Sequence, residues 1–425
     1  MFWPGLSWYN GTKLRKEALS VKLPWNTILY RLAYAVLAAI FLVPAVFFLI
    51  IFLLFSFNLP PYGQRAILFL GWAAVAAILL VILLPRRCRK LLGVLLLATA
   101  LGCGGYCCFG LWRDSIPTVG EVDRYTLLSS YQPFTEGSLT ACLDGPASLR
   151  LNREDCPRLD GATALYPVYA AFVQAVYPEG DYPFLQSPGE ISPKVACTGT
   201  VEAYERLIAG ETDLIFAAAP SQEQLDLAAS QGMELYLTPV GREAFVFFVN
   251  SKNPVEELTV DEIRGIYSGS LTNWSQVGGK NQSIRPFQRM ENSGSQTALL
   301  RLMEGLALIE PEQEDRVADM GGIISQVADY RNYQNAIGFS FRFYSTQMVQ
   351  NGDIRLLALD GVFPTKETIR DGSYPISAPF YAVTAAPIGH SAPQESNPML
   401  ADFLAWILSP EGQSLVEATG YVSLS

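Results

Sequence analysis

Three uncharged apolar runs fill most of the N-terminal part of the chain, at residues 32–59, 66–84 and 91–111. Each approaches or exceeds the roughly 20 residues a helix needs to cross a bilayer, so the pattern predicts three transmembrane helices. Beyond residue 123 the pattern shortens and alternates. Strand-like runs stand at 214–219, 244–250, 354–359 and 380–386, and helical ones at 166–177, 201–210, 221–230, 259–269, 295–306 and 397–420. Such alternation predicts an α/β domain with mostly parallel strands.

Charge divides the chain at the same place. Residues 1–111 carry ten Lys or Arg and one acid, Glu17, whereas residues 112–425 carry twenty Lys or Arg against thirty-nine acids. Five of the positive residues precede the first span (Lys13, Arg15, Lys16, Lys22, Arg31) and four lie between the second and third (Arg86, Arg87, Arg89, Lys90), with only Arg65 between the first and second. Positive residues near span ends stay cytoplasmic, which predicts an inner N-terminus and an outer C-terminal part at the cell membrane. The expected organisation is a cytoplasmic segment 1–31, an anchor 32–111, a linker 112–123 and an extracellular domain 124–425. The spans hold no Asp, Glu, Lys, Arg or His and read as an anchor, not as an ion path.

The cysteines add two expectations. Cys103, after Ala100-Leu101-Gly102, stands where a signal-like segment would place a lipidated residue, although that box is imperfect. Cys142 and Cys156 are the candidate disulfide, which would close an outer loop, and Cys197 is left over in the interior. No pair has zinc-site spacing.

Three turns carry the candidate chemistry. Arg289 precedes Ser293-Gly294-Ser295 at the head of a helical run; Gly161-Ala162-Thr163-Ala164 and Thr198-Gly199-Thr200 head two others. Small residues at a helix start present free backbone N–H groups, and an arginine adds a forked donor, so three such corners meeting at one point would grip a small tetrahedral anion. Plain capping is the duller reading of Thr163, Thr198 and Ser293. Catalysis finds no comparable support, since the single histidine, His390, lies in a Pro-rich loop. No catalytic residue, metal site or cofactor is expected, and nucleic acid is not an expected partner.

The segments 161–170, 198–221, 243–279, 289–297, 374–384 and 403–424, above all SGSLTNWSQVGG after NPVEELT, resemble the phosphate-binding component of bacterial phosphate ABC importers. The resemblance implies a two-lobed type II periplasmic-binding-protein fold with mixed, mostly parallel sheets, here preceded by three transmembrane helices. It implies lobes at about 124–239 with 380–425 and about 240–379, hinged near Pro239 to Glu243 and Tyr374 to Phe380. The implied ligand contacts are Thr163, Ala164, Thr198, Gly199, Thr200, Arg289, Ser293, Gly294 and Ser295. The implied partners are phosphate or a related oxyanion and the permease subunits of an ABC importer. One departure stands out: Ala218 occupies a point where the family commonly carries a carboxylate that accepts the proton of hydrogen phosphate. Asp160, Glu202 and Glu291 are the nearby acids able to substitute. The alternative is a membrane-anchored sensor or interaction module that keeps the fold with altered binding.

Overall fold

The computed structural model of the chain describes residues 25–56, 61–84, 89–115, 123–185, 193–311, 315–317, 324–325, 327, 334–349 and 351–424. It divides into two compact units, Met1–Ile116 and Pro117–Ser425. Most of the predicted cytoplasmic segment, the basic residues Arg86 and Arg87, and much of the predicted linker lie outside the described residues.

The first unit holds α1 (Trp25–Ser56), α2 (Pro61–Leu83) and α3 (Arg89–Ser115), all long and apolar enough to cross a membrane. Helix α2 packs against both others. Its Gly71 marks a close approach to α1, because a Cβ there would stand 2.6 Å from Ile50 Cδ1. The larger apolar side chains, Phe41, Phe48 and Leu97 among them, are exposed. A helix apolar on its outer face is stable in hydrocarbon and costly in water.

The second unit reverses that arrangement. Its strands are β1 (Leu159–Gly161), β2 (Leu214–Ala217), β3 (Met233–Asn250), β4 (Glu257–Leu258), β5 (Arg285–Pro286), β6 (Gln288–Arg289), β7 (Arg316–Val317), β8 (Ala336–Phe341), β9 (Ile354–Leu356), β10 (Ala358–Leu359) and β11 (Ser377–Pro387). The main sheet runs β1-β2-β11-β3-β8-β5, with β9 also on β3; β4 pairs with β10 and β6 with β7. The helices that position the site are α4 (Arg124–Ser129), α5 (Tyr166–Val176), α6 (Thr200–Ile208), α7 (Gln222–Ser230) and α9 (Gly294–Leu302), while α8 (Val260–Tyr267) packs Tyr267 against Phe247 and Phe339. Buried aromatic groups fill both halves of the sheet: Tyr166, Tyr169, Phe172 and Phe216 on one side, Phe245, Phe247, Tyr267 and Phe339 on the other.

The sheet is mixed, but its long pairings are antiparallel, which corrects the expectation of mostly parallel strands. The reason is β3, which pairs with β11 from Met233 to Ala244 and with β8 and β9 from Phe245 to Asn250. One continuous strand thus serves both halves, and β11 returns beside it with a register shift at Phe380/Tyr381.

Other expectations need correction. The run 397–420 is two helices, Pro398–Leu408 and Pro410–Thr419, because Pro410 cannot donate an N–H and holds Ser409 extended. Residues 354–359 divide into β9 and β10, which join different partners. Cys142 and Cys156 are free thiols, not a disulfide. The Cys156 thiol is buried on the carbonyl of Asn152 at 3.2 Å, while exposed Cys142 turns to the carbonyl of Thr140. Cys197 is buried as expected. The SGSLTNWSQVGG block is a packing unit: Trp274 is buried with its Nε1 donating to Asn335 O at 2.7 Å, Asn273 caps the short turn, and Gly278 takes a left-handed φ of 82°.

Candidate functional site

A cleft of about 1020 Å³ opens in the second unit, and all nine predicted contact residues line it. Its first corner is the exit of β1, where Thr163 and Ala164 head a single 3-10 turn into α5, with Pro167 at the α5 start. Neither Thr163 nor Thr198 caps a helix through its side chain, so the capping reading fails for both. Tyr421 enters from the C-terminal segment, donates its hydroxyl to the carbonyl of Ala164 and so pins this corner.

The third corner is built by Gln296, whose side chain accepts from the Arg289 amide at 2.9 Å and donates to Gln288 at 3.1 Å. Asn292 turns the chain with a φ of 61°, a conformation asparagine tolerates. Ser293 does cap α9, accepting from the Gln296 amide at 3.3 Å, which leaves its own hydroxyl proton to donate. Gly294 and Ser295 supply first-turn amides of α9. Ser295 Oγ is wholly buried and, among the described residues, lacks a hydrogen-bond partner. Arg289 is buried at the cleft wall.

The second corner is organised differently. Asp160, fully buried in the middle of β1, accepts from the Thr198 amide at 2.8 Å, the Thr198 hydroxyl at 3.0 Å, the Gly161 amide at 2.7 Å and the Arg206 guanidinium. Burial raises its carboxyl above the ordinary value, opposed by these donors. The Gly199 amide is also committed, to Gly161 O at 3.1 Å, and Gly199 needs its φ of 102° to start α6. The corner therefore offers the cleft the first-turn amides of Thr200 and Val201.

Corners two and three face each other closely. A Cβ at Gly294 would stand 3.3 Å from Thr200 Oγ1 and 3.5 Å from the Ala218 methyl. Hydrogen bonds bridge the cleft beside them: Ser221 Oγ to Asn292 Oδ1 at 3.0 Å, Asn292 Nδ2 to Glu223 at 2.6 Å, and Arg301 to Pro220 O at 2.8 Å. Ala218 supplies no acceptor there. Of the acids considered as substitutes, Asp160 is held by its four donors, while Glu202 and Glu291 are exposed on the lining.

Sequence reasoning missed three lining residues. Arg124 donates to Cys197 O at 2.8 Å, and its Nη2 lies 3.8 Å from where a Gly199 Cβ would stand, so a second guanidinium lies over corner two. A lone arginine in a short polar helix gave no signal. Tyr421 lies in 403–424, a segment that carried only the resemblance and no expected contact. Glu243, on β3 where the strand leaves β11, is buried and accepts from the amides of Ala244 at 2.9 Å and Phe343 at 3.2 Å. Burial pushes its carboxyl up to about 7 against the pull of Arg342 and those amides.

Comparison with known proteins matches residues 157–411 to a family model described as a PBP superfamily domain. A phosphate-binding protein PstS of Staphylococcus saprophyticus is 26% identical over 247 residues, 57% of this chain and 74% of that protein. The PstS of Bacillus subtilis is 23% identical over 269 residues, 63% of this chain and 80% of the relative. An ABC-type phosphate transport receptor from Vibrio cholerae aligns in structure with a TM-score of 0.43 and 19% identity, covering 62% of this chain and 98% of the receptor. With a family model spanning more than half its length, the chain belongs to the PBP superfamily.

Proposed function

We propose that this chain is a membrane-anchored receptor that captures inorganic phosphate outside the cell and delivers it to an ABC importer. The observation that carries the reading is the meeting of three amide-rich corners and Arg289 in one cleft, with corners two and three only a side-chain width apart. Aimed N–H groups and a guanidinium are what a tetrahedral oxyanion requires. The PstS names of the relatives support phosphate as that anion. The three apolar helices support the anchor, and the basic residues at their flanks support an inner N-terminus.

Closure would be carried where β3 passes from one half of the sheet to the other and β11 returns beside it. A ligand held by corners one and two from one side and corner three from the other favours the closed form through contacts an open form lacks. Calorimetry of the full chain in detergent, titrated with phosphate, arsenate and a carboxylate control, tests the reading. Saturable heat with phosphate and arsenate is expected. No phosphate heat overturns it.

A further inference from the structure

We propose that Thr198 reads the proton of the bound anion: Asp160 fixes the Thr198 hydroxyl as an acceptor, so the cleft favours a protonated tetrahedral oxyanion, hydrogen phosphate, over sulfate. This rests on the phosphate reading above.

The argument is a proton count. An ionised carboxylate only accepts, so in the 3.0 Å contact between Thr198 Oγ1 and Asp160 Oδ2 the single hydroxyl proton belongs to that bond. Asp160 has no place for a proton of its own. The Arg206 guanidinium already occupies Oδ2, and the amides of Gly161 and Thr198 occupy Oδ1. The Thr198 amide is taken as well, so toward the cleft it lines, this residue presents oxygen lone pairs.

The cleft it lines also holds donors, the first-turn amides of Thr200 and Gly294, the Ser293 hydroxyl and Arg289, besides exposed carboxylates such as Glu202 and Glu291. An anion with a proton can satisfy both kinds of partner. Sulfate would set an oxygen against the Thr198 lone pairs, leaving two facing acceptors unpaired. A neutral hydroxyl repels the anion less than a carboxylate would, so it reads the proton without opposing the charge. Ala218 leaves room for this arrangement, because its methyl brings no acceptor of its own. Asp160 is a positioning residue here; Thr198 makes the contact.

The test is competitive calorimetry of the full chain in detergent with inorganic phosphate and sulfate, on wild type, Thr198→Val, Thr198→Ser and Asp160→Asn. Wild type is expected to prefer phosphate. Thr198→Val should weaken phosphate about tenfold while sulfate stays level or tightens, and Thr198→Ser should restore the preference. Asp160→Asn can offer Nδ2 to the hydroxyl and release its proton toward the cleft, so sulfate should gain relative to phosphate. If that variant does not fold, Thr198→Val decides. Equal wild-type affinities, a parallel loss of both anions in Thr198→Val, or no change there overturns this inference while leaving the phosphate reading intact. A wild type that gives no phosphate heat overturns both.

Discussion

Corners two and three look alike as sequence, small hydroxyl residues around a glycine before a helix, yet they do different work in the fold. Corner three keeps its donors for the cleft: Ser293 accepts from Gln296 and retains its proton, and Ser295 Oγ stands buried without a protein partner among the described residues. Corner two turns its first donors inward to Asp160 and Gly161 and shows the cleft its next turn instead. A glycine-and-hydroxyl turn thus announces available amides without saying which are already engaged. The difference lies in one buried carboxylate.

Removing that carboxylate is the severest way to break the contrast. Asp160→Ala removes the buried partner of Arg206, whose side chain is 11% exposed, and the acceptor of three further donors. Uncoupling a buried pair of this kind costs about 3–5 kcal/mol, to be read by denaturant unfolding. An effect near zero would mean that corner two stands without Asp160.

Arg289→Ala acts on the other corner. It should weaken phosphate binding by roughly 2–4 kcal/mol through loss of a charge-assisted fork, with the unfolding midpoint moving much less. Equal affinity in calorimetry would remove Arg289 from the site.

Glu243 probes β3 itself, not one of the corners. Its native value of about 7 lies above the ordinary 4.5, so the folded chain holds this proton longer than the unfolded one. Stability should therefore fall as pH rises from about 4.5 to about 7 and level off above, a change on the order of 3 kcal/mol. Glu243→Gln should flatten that segment of the unfolding-midpoint profile. A wild-type profile already flat there contradicts the assignment.

Gly294→Ala is the mildest probe. The new methyl would press on Thr200 Oγ1 at 3.3 Å and on Ala218, spreading the two corners and lowering phosphate affinity by about 1 kcal/mol. Unaltered affinity would show that the gap between them can give way freely.

Much of this was legible before any coordinate. Run length alone marks three membrane-length helices, and helical periodicity marks α5 to α9. The corners were legible as small hydroxyl residues before helical runs, a pattern that also marks plain caps, and the resemblance is what singled these three out. What escaped depends on contacts far apart in the chain. Residues 233–243, with Pro239 and Gly241, do not read as the first half of an 18-residue strand; its pairing with β11 makes it one. Asp160 sits beside corner one in sequence and looked like a spare acceptor for the ligand, but the parallel β1–β2 pairing and the α6 start bring Thr198 and Arg206 onto it. The cysteine spacing suggested a bridge that the turn at Asn152 opposes by claiming the Cys156 thiol.

The most direct measurement is anomalous diffraction from crystals of the chain soaked in arsenate, a scattering analogue of phosphate with the same tetrahedral oxygens. The account predicts one arsenic peak within hydrogen-bond reach of Ser293, Gly294, Thr200 and Arg289. An ordered peak elsewhere, with this cleft empty at saturating arsenate, would contradict it.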